Sequence, residues 1–151
     1  MKSPSTYLEW VHCFDLAKEG THDEEVLSSI KNGSIDLTGG VGGRIASQLN
    51  DVIQVRLKRA SDKFNRSLSF SGGDMNLLTN SLILFRKEFK FLIGLVQIPG
   101  MPESDVNMFI DVIKKQADLM QQSLETTSKS DRTGMLSSII KRNRINNLGE
   151  I

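Results

Sequence analysis

Apolar side chains recur at alternating intervals of four and three along two stretches of the chain. Leu78, Leu82, Phe85, Phe89, Leu92 and Val96 form the first run, and Val106, Ile110, Ile113, Ala117, Met120 and Leu124 the second. This heptad spacing lays each set along one face of an α-helix. Between them lies Ile98-Pro99-Gly100-Met101-Pro102, which stops one helix and opens another. The pattern predicts a long helical hairpin over 74–126. Its first helix also carries Leu84, Phe91, Leu95 and Ile98 off the main seam, which predicts burial on two sides.

Upstream, Thr6 and Glu9 have capping-box spacing ahead of Tyr7, Trp10, Val11, Phe14 and Ala17, and Gly20 suits the stop. Thr21 and Glu24 repeat the device before Val26, Leu27 and Ile30, with Gly33 as the next stop. Two short helices are therefore expected, then a loop over 34–37. After Gly39-Gly40-Val41-Gly42-Gly43, the residues Ile45, Leu49, Val52, Ile53, Leu57, Ala60, Phe64 and Leu68 recur at threes and fours. One continuous helix is expected there, ending at Ser71-Gly72-Gly73, with Asp74 capping the hairpin's first helix. Ile45 to Leu57 has a faint look of helix-turn-helix, but no glycine marks the turn, and Arg56 and Arg59 stand where the second helix needs apolar residues. Pro102, Glu103 and Asp105 suit the first turn of the hairpin's second helix. Residues 126–134 read as a polar linker before Met135, Leu136, Ile139 and Ile140, which return at helical spacing.

The fold expected is all-α, an antiparallel bundle of five to six helices around the central hairpin. Residues 1–128 are read as one domain and 129–151 as a basic tail, either a short helix or a segment that orders on a partner. A length of 151 residues suits a single core, and 38% hydrophobic with 25% charged residues is ordinary globular composition. Cys13 is the only cysteine, so neither an internal disulfide nor a thiolate metal cage is available. The amino-terminal residues lack the layout of a signal peptide. The apolar window 77–98 holds Arg86, Lys87, Glu88 and Lys90 near its centre, which disfavours a membrane span. A cytoplasmic location is expected.

Net charge is only +1 but is unevenly spread: residues 1–40 carry −4, 44–70 carry +4 and 129–151 carry +3. Either the acidic amino-terminal part packs beside the basic helix, or a basic face is kept for an anionic partner. Arg56, Arg59, Lys63 and Arg66 fall at i, i+3, i+7 and i+10, which a helix turns into one stripe. With Arg44 at the end of the glycine cluster and Lys141, Arg142 and Arg144 in the tail, these are the candidate anion- or partner-binding residues.

No constellation points to catalysis. Gly42, Gly43 and Arg44 could meet an anion at a helix start, but neither a dinucleotide fingerprint nor a phosphate loop is present. Glu9 and His12 have the spacing of a bundle metal ligand pair, but no second Glu-x-x-His follows. His12 and Cys13 are adjacent on a helix and point about 100° apart, a poor geometry for a base and its nucleophile. Neither cofactor nor metal is expected. The function expected is that of a small non-enzymatic adaptor, regulatory or accessory protein that binds another protein or itself. The alternative is a nucleic-acid-binding factor using the basic stripe, and a third reading attaches the amphipathic tail to an anionic membrane surface.

Overall fold

In the computed structural model the chain is described over residues 2–35, 41–70, 75–129 and 133–149, with the side chains of 41 and 68–70 excepted. These residues form six helices and no strand, an all-α helical bundle. In chain order they are α1 (Tyr7–Glu19), α2 (Asp23–Lys31), α3 (Val41–Phe70), α4 (Met75–Val96), α5 (Glu103–Ser128) and α6 (Met135–Arg142). The expected stop at Ser71-Gly72-Gly73, the Asp74 cap, Gly39, Gly40 and positions 36, 37 and 130–132 lie outside the described residues.

Local chemistry explains most boundaries. At α1 the Glu9 amide donates to Thr6 Oγ1 (3.3 Å) while the Thr6 amide donates to Glu9 Oε1 (3.2 Å), so the capping box is closed. Gly20 ends that helix at φ 82°, a left-handed conformation that costs glycine little. The second capping box does not form. α2 starts one residue later than Thr21 would place it, after His22, and no side chain caps it. Asp23, Glu24 and Glu25 crowd its first turn instead, where carboxylates favour the positive end of the helix dipole.

Gly33 also does something other than terminate α2. A Cβ there would sit 2.8 Å from the Trp10 ring, and the Trp10 indole N–H donates to the Ser34 carbonyl at 2.9 Å. The Ser34 amide in turn donates to the Pro4 carbonyl at 3.0 Å. Glycine is needed there for the close approach of a buried tryptophan.

α3 is uninterrupted, as the periodicity predicts, but it begins at Val41, so Gly42 and Gly43 lie in its first turn. Pro102 stands just before α5, its carbonyl accepting from the amides of Asp105 (3.0 Å) and Val106 (3.2 Å).

The heptad seam closes within the chain. All six seam residues of α4 are buried, as are Ile110, Ile113, Ala117, Met120 and Leu124 of α5; Val106 is half-buried. Each fully buried large apolar side chain contributes about 1.5–3 kcal/mol, so this seam is a principal source of stability. Off the seam, Phe91, Leu95 and Ile98 are buried as expected, but Leu84 is 64% exposed. Two-sided burial therefore holds only toward the carboxyl end of α4.

The chain divides into two compact units, Met1–Leu57 with Phe91–Val112, and Lys58–Lys90 with Ile113–Ile151. In unit 1, Trp10 and Phe14 lie with ring centroids 5.9 Å apart, and Leu27 of α2 packs against Gly94 of α4. In unit 2, Phe64 of α3 meets Phe85 of α4 edge to face at 5.6 Å, and Ile140 and Ile145 are buried. Among the described residues no helix is long and apolar enough to cross a membrane.

Candidate functional site

The proposed basic stripe separates into one structural arginine and three exposed cations. Arg56 is 4% exposed; its Nη1 and Nη2 donate to Asp23 Oδ1 and Oδ2 at 2.7 and 2.9 Å. Nη1 also donates to the Ala17 carbonyl at 2.8 Å, and the guanidinium lies 4.1 Å from the centroid of the Phe91 ring. The planar fork thus ties α1, α2, α3 and α4 together within unit 1, a geometry that lysine cannot reproduce. This is a correction to the stripe: Arg56 faces the interior and presents nothing to a partner. It also puts a specific contact behind the reading that acidic amino-terminal helices pack beside the basic helix.

Arg59, Lys63 and Arg66 are exposed on the unit 2 portion of α3, and Asp62 stands among them. Asp62 accepts from Lys58 Nζ at 3.5 Å through its carboxylate and from Arg66 Nε at 3.4 Å through its carbonyl. Arg44 is exposed in the first turn of α3 within unit 1.

The tail residues occupy a second setting. Lys141 and Arg142 are exposed at the end of α6, where Arg142 donates to Ser138 Oγ at 3.0 Å. Beyond them the chain is strapped onto α5. Gln121, 1% exposed, accepts the Ile145 amide at 3.1 Å and donates to Glu125 Oε1 at 3.2 Å. Arg144 lies 3.7 Å from the same Glu125 oxygen, and the Asn146 side-chain amide donates to Asp118 at 2.9 Å. The tail thus supplies one short helix and an ordered strap. Arg144 is held by an internal carboxylate as well as facing solvent.

Counted by unit, the charge is more polarised than the linear sequence indicates. Unit 1 holds five Lys/Arg against eleven Asp/Glu, a net −6, and unit 2 holds fourteen against seven, a net +7. The chain passes through each unit twice, so sequence blocks of like sign are gathered. In unit 2 the exposed cations include Lys87 and Lys90 of α4 and Lys114 and Lys115 of α5, none of which the sequence pattern named as a candidate binding residue.

Exposed apolar residues accompany both signs. On α4 in unit 2, Leu77 is 47% exposed, Ile83 41% and Leu84 64%, along the helix from Lys87 and Lys90. On α5 in unit 1, Met108 (55%) and Val112 (40%) lie one turn apart with exposed Asp111 between them. The signal that could have found them is register. Each is apolar yet falls off the four-three seam, and a residue off the seam needs a second neighbour to be buried.

The cysteine near the amino terminus is shielded from solvent. Cys13 is buried, and burial first, the Glu9 carboxylate second, push its thiol pKa up, away from the reactive thiolate. Among the described residues no three histidine, cysteine or carboxylate side chains are grouped to hold a metal ion. A cavity of about 160 Å³ lined by Tyr7, Trp10, Ser34 and Ile45 contains no charged side chain. Every buried side-chain nitrogen or oxygen among the described residues has a hydrogen-bond partner, so none is left over for a ligand. Comparison of the chain with protein-family models, curated proteins and solved structures finds no match.

Proposed function

We propose that the chain is a non-enzymatic adaptor or accessory protein whose basic unit 2 binds a protein segment carrying acidic and apolar side chains together. One observation supports this above the others: Ile83 and Leu84 are solvent-exposed on the same helix as exposed Lys87 and Lys90. A phosphate backbone gains from lysines but offers nothing for the removal of leucine from water. An amphipathic acidic helix uses both, with its apolar side chains at i, i+3, i+4 and i+7 against the exposed leucines and its carboxylates toward the lysines.

The nucleic-acid reading keeps one observation of its own, the exposed row Arg59, Lys63 and Arg66 on α3. Its affinity would fall steeply with salt, by a slope of about 0.9 per phosphate neutralised. Fluorescence anisotropy with two probes separates the readings. One is a leucine-glutamate amphipathic peptide of about 20 residues, long enough to form a helix of several turns; the other is a duplex DNA of similar length. The expected result is peptide binding that Ile83→Gln/Leu84→Gln weakens about tenfold, a loss of about 1.4 kcal/mol. Duplex binding that is stronger than peptide binding and lost in Arg59→Gln/Lys63→Gln/Arg66→Gln would reverse the assignment.

A further inference from the structure

The residues after α6 are held by a face of α5 that reads a short stretch of chain, and both partners lie within unit 2. Asp118, Gln121 and Glu125 are spaced three and four apart, so they share one face over two helical turns. Consecutive residues of the strap meet them in antiparallel order. The Asn146 side-chain amide donates to Asp118 Oδ1 at 2.9 Å, the Ile145 main-chain amide donates to Gln121 Oε1 at 3.1 Å, and Arg144 Nη1 lies 3.7 Å from Glu125 Oε1. The middle of this contact is closed to water, with Gln121 1% and Ile145 0% exposed, whereas the Arg144 and Glu125 side chains at one end stay partly open. Gln121 is held in place from its own helix, its amide donating to Glu125 Oε1 at 3.2 Å.

The strap segment makes its own shape. The Asn147 amide donates to the Arg144 carbonyl at 3.3 Å, which closes a β-turn over 144–147, and Arg144 Nε donates to Asn146 Oδ1 at 3.3 Å. Four residues thus carry the conformation, the buried apolar side chain and the groups that meet α5. We propose that the Asp118, Gln121 and Glu125 face is a recognition site for a protein segment with the pattern basic residue, branched apolar residue, carboxamide, and that residues 144–147 are its internal occupant, displaced by a partner carrying that pattern. Gln121 takes a main-chain amide, which any residue but proline offers. Selectivity comes from the neighbours: a cation for Glu125, an apolar side chain that can be fully buried, and a carboxamide donor for Asp118. The internal segment is tethered through α6, which gives it an effective concentration on the order of millimolar. A free segment therefore enters the intact chain only by outcompeting the tail, and the tail sets the threshold for binding.

The test is fluorescence anisotropy with a labelled peptide having the sequence of residues 141–149, added to the full-length chain and to full-length Ile145→Gly, which removes the anchor of the internal occupant. The expected result is binding to Ile145→Gly at least about tenfold tighter than to the parent chain. Gln121→Leu introduced beside Ile145→Gly should weaken it about tenfold, and a scrambled peptide of the same composition should not bind. Should Ile145→Gly lose its helical circular dichroism, Arg144→Gln/Asn146→Asp takes its place, since it loosens the exposed ends of the contact and leaves the buried anchor alone. Equal affinity for the parent chain and the opened variant overturns the proposal, as does a folded opened variant that ignores the peptide. Equal binding of the scrambled peptide overturns it too. Peptide binding that Ile83→Gln/Leu84→Gln abolishes and Gln121→Leu leaves unchanged would put the peptide on the α4 face and overturn the α5 site alone.

Discussion

At the scale of single residues, Arg56 and Arg59 show how three positions on one helix decide between scaffold and surface. Leu49, Ile53, Arg56 and Ala60 are spaced four, three and four, so Arg56 stands in register with a buried series, while Arg59, Lys63 and Arg66 follow the same spacing on an exposed face. A charge is tolerated in that buried register because Asp23 and the Ala17 carbonyl take the guanidinium's hydrogen bonds and the Phe91 ring lies against it. The register was legible in the sequence, but the partner was not, since Asp23 is 33 residues away and one of seven acidic residues in the first forty. Replacing Arg56 by methionine keeps the packing volume and removes the fork. Asp23 retains 31% side-chain exposure and can take up water, so the loss should fall below the roughly 3–5 kcal/mol seen when a fully buried pair is broken. A destabilisation of about 2 kcal/mol is expected in urea denaturation, with Arg56→Lys intermediate because one prong of the fork survives. The folded Arg56→Met protein should bind the amphipathic peptide as the parent does. A weakened affinity at unchanged stability would return Arg56 to the binding surface.

At the scale of elements, the helices were legible because their cause is periodic and local, whereas the elements' ends depend on neighbours. The heptads of α4 and α5 and the capping box of α1 need only residues close in sequence. α2 shows the limit: Thr21 and Glu24 have the spacing of a cap, yet the helix begins at Asp23, where the carboxylate that leads the first turn is also the partner of Arg56. A tertiary contact worth more than one cap hydrogen bond sets that boundary. The tail strap has the same character. Gln121 is a polar residue in the midst of α5, and nothing in its own helix announces that its side chain will hold the Ile145 amide 24 residues later. Gln121→Leu would fill the space but leave that amide donor unsatisfied in a buried setting, which costs about 1–3 kcal/mol. The loss should be local. Hydrogen exchange is expected to speed up at Ile145 and its neighbours while the seam amides of α4 keep their protection. Uniform acceleration across the molecule would show instead that the strap unfolds only with the whole core.

At the scale of the whole molecule, the sequence hides its strongest physical property behind a net charge of +1. Cation-rich and acid-rich blocks were visible along the chain, but their assortment into units of −6 and +7 was not. Assortment depends on which passes of α3, α4 and α5 belong together. The basic surface was legible to the same partial extent: Lys63 and Arg66 could be named, while Lys87, Lys90, Lys114 and Lys115 count as exposed cations of the same unit only once α4 and α5 are folded. Charges gathered in this way act together over about one Debye length, close to 10 Å at 0.1 M salt, whereas interspersed charges cancel over that distance. A protein of net charge +1 with interspersed charges would be held weakly by ion exchangers of either sign near neutral pH. This chain is expected to be retained at pH 7 and low salt on both a cation exchanger, through unit 2, and an anion exchanger, through unit 1. Lys63→Gln/Arg66→Gln should then lower the eluting salt on the cation exchanger and leave the anion exchanger unaffected or slightly stronger. Glu103→Gln/Asp111→Gln should do the reverse. Passage through both columns at about 50 mM salt would mean that neighbouring opposite charges neutralise each unit's surplus locally, and the electrostatic part of the proposed docking on unit 2 would lose its basis.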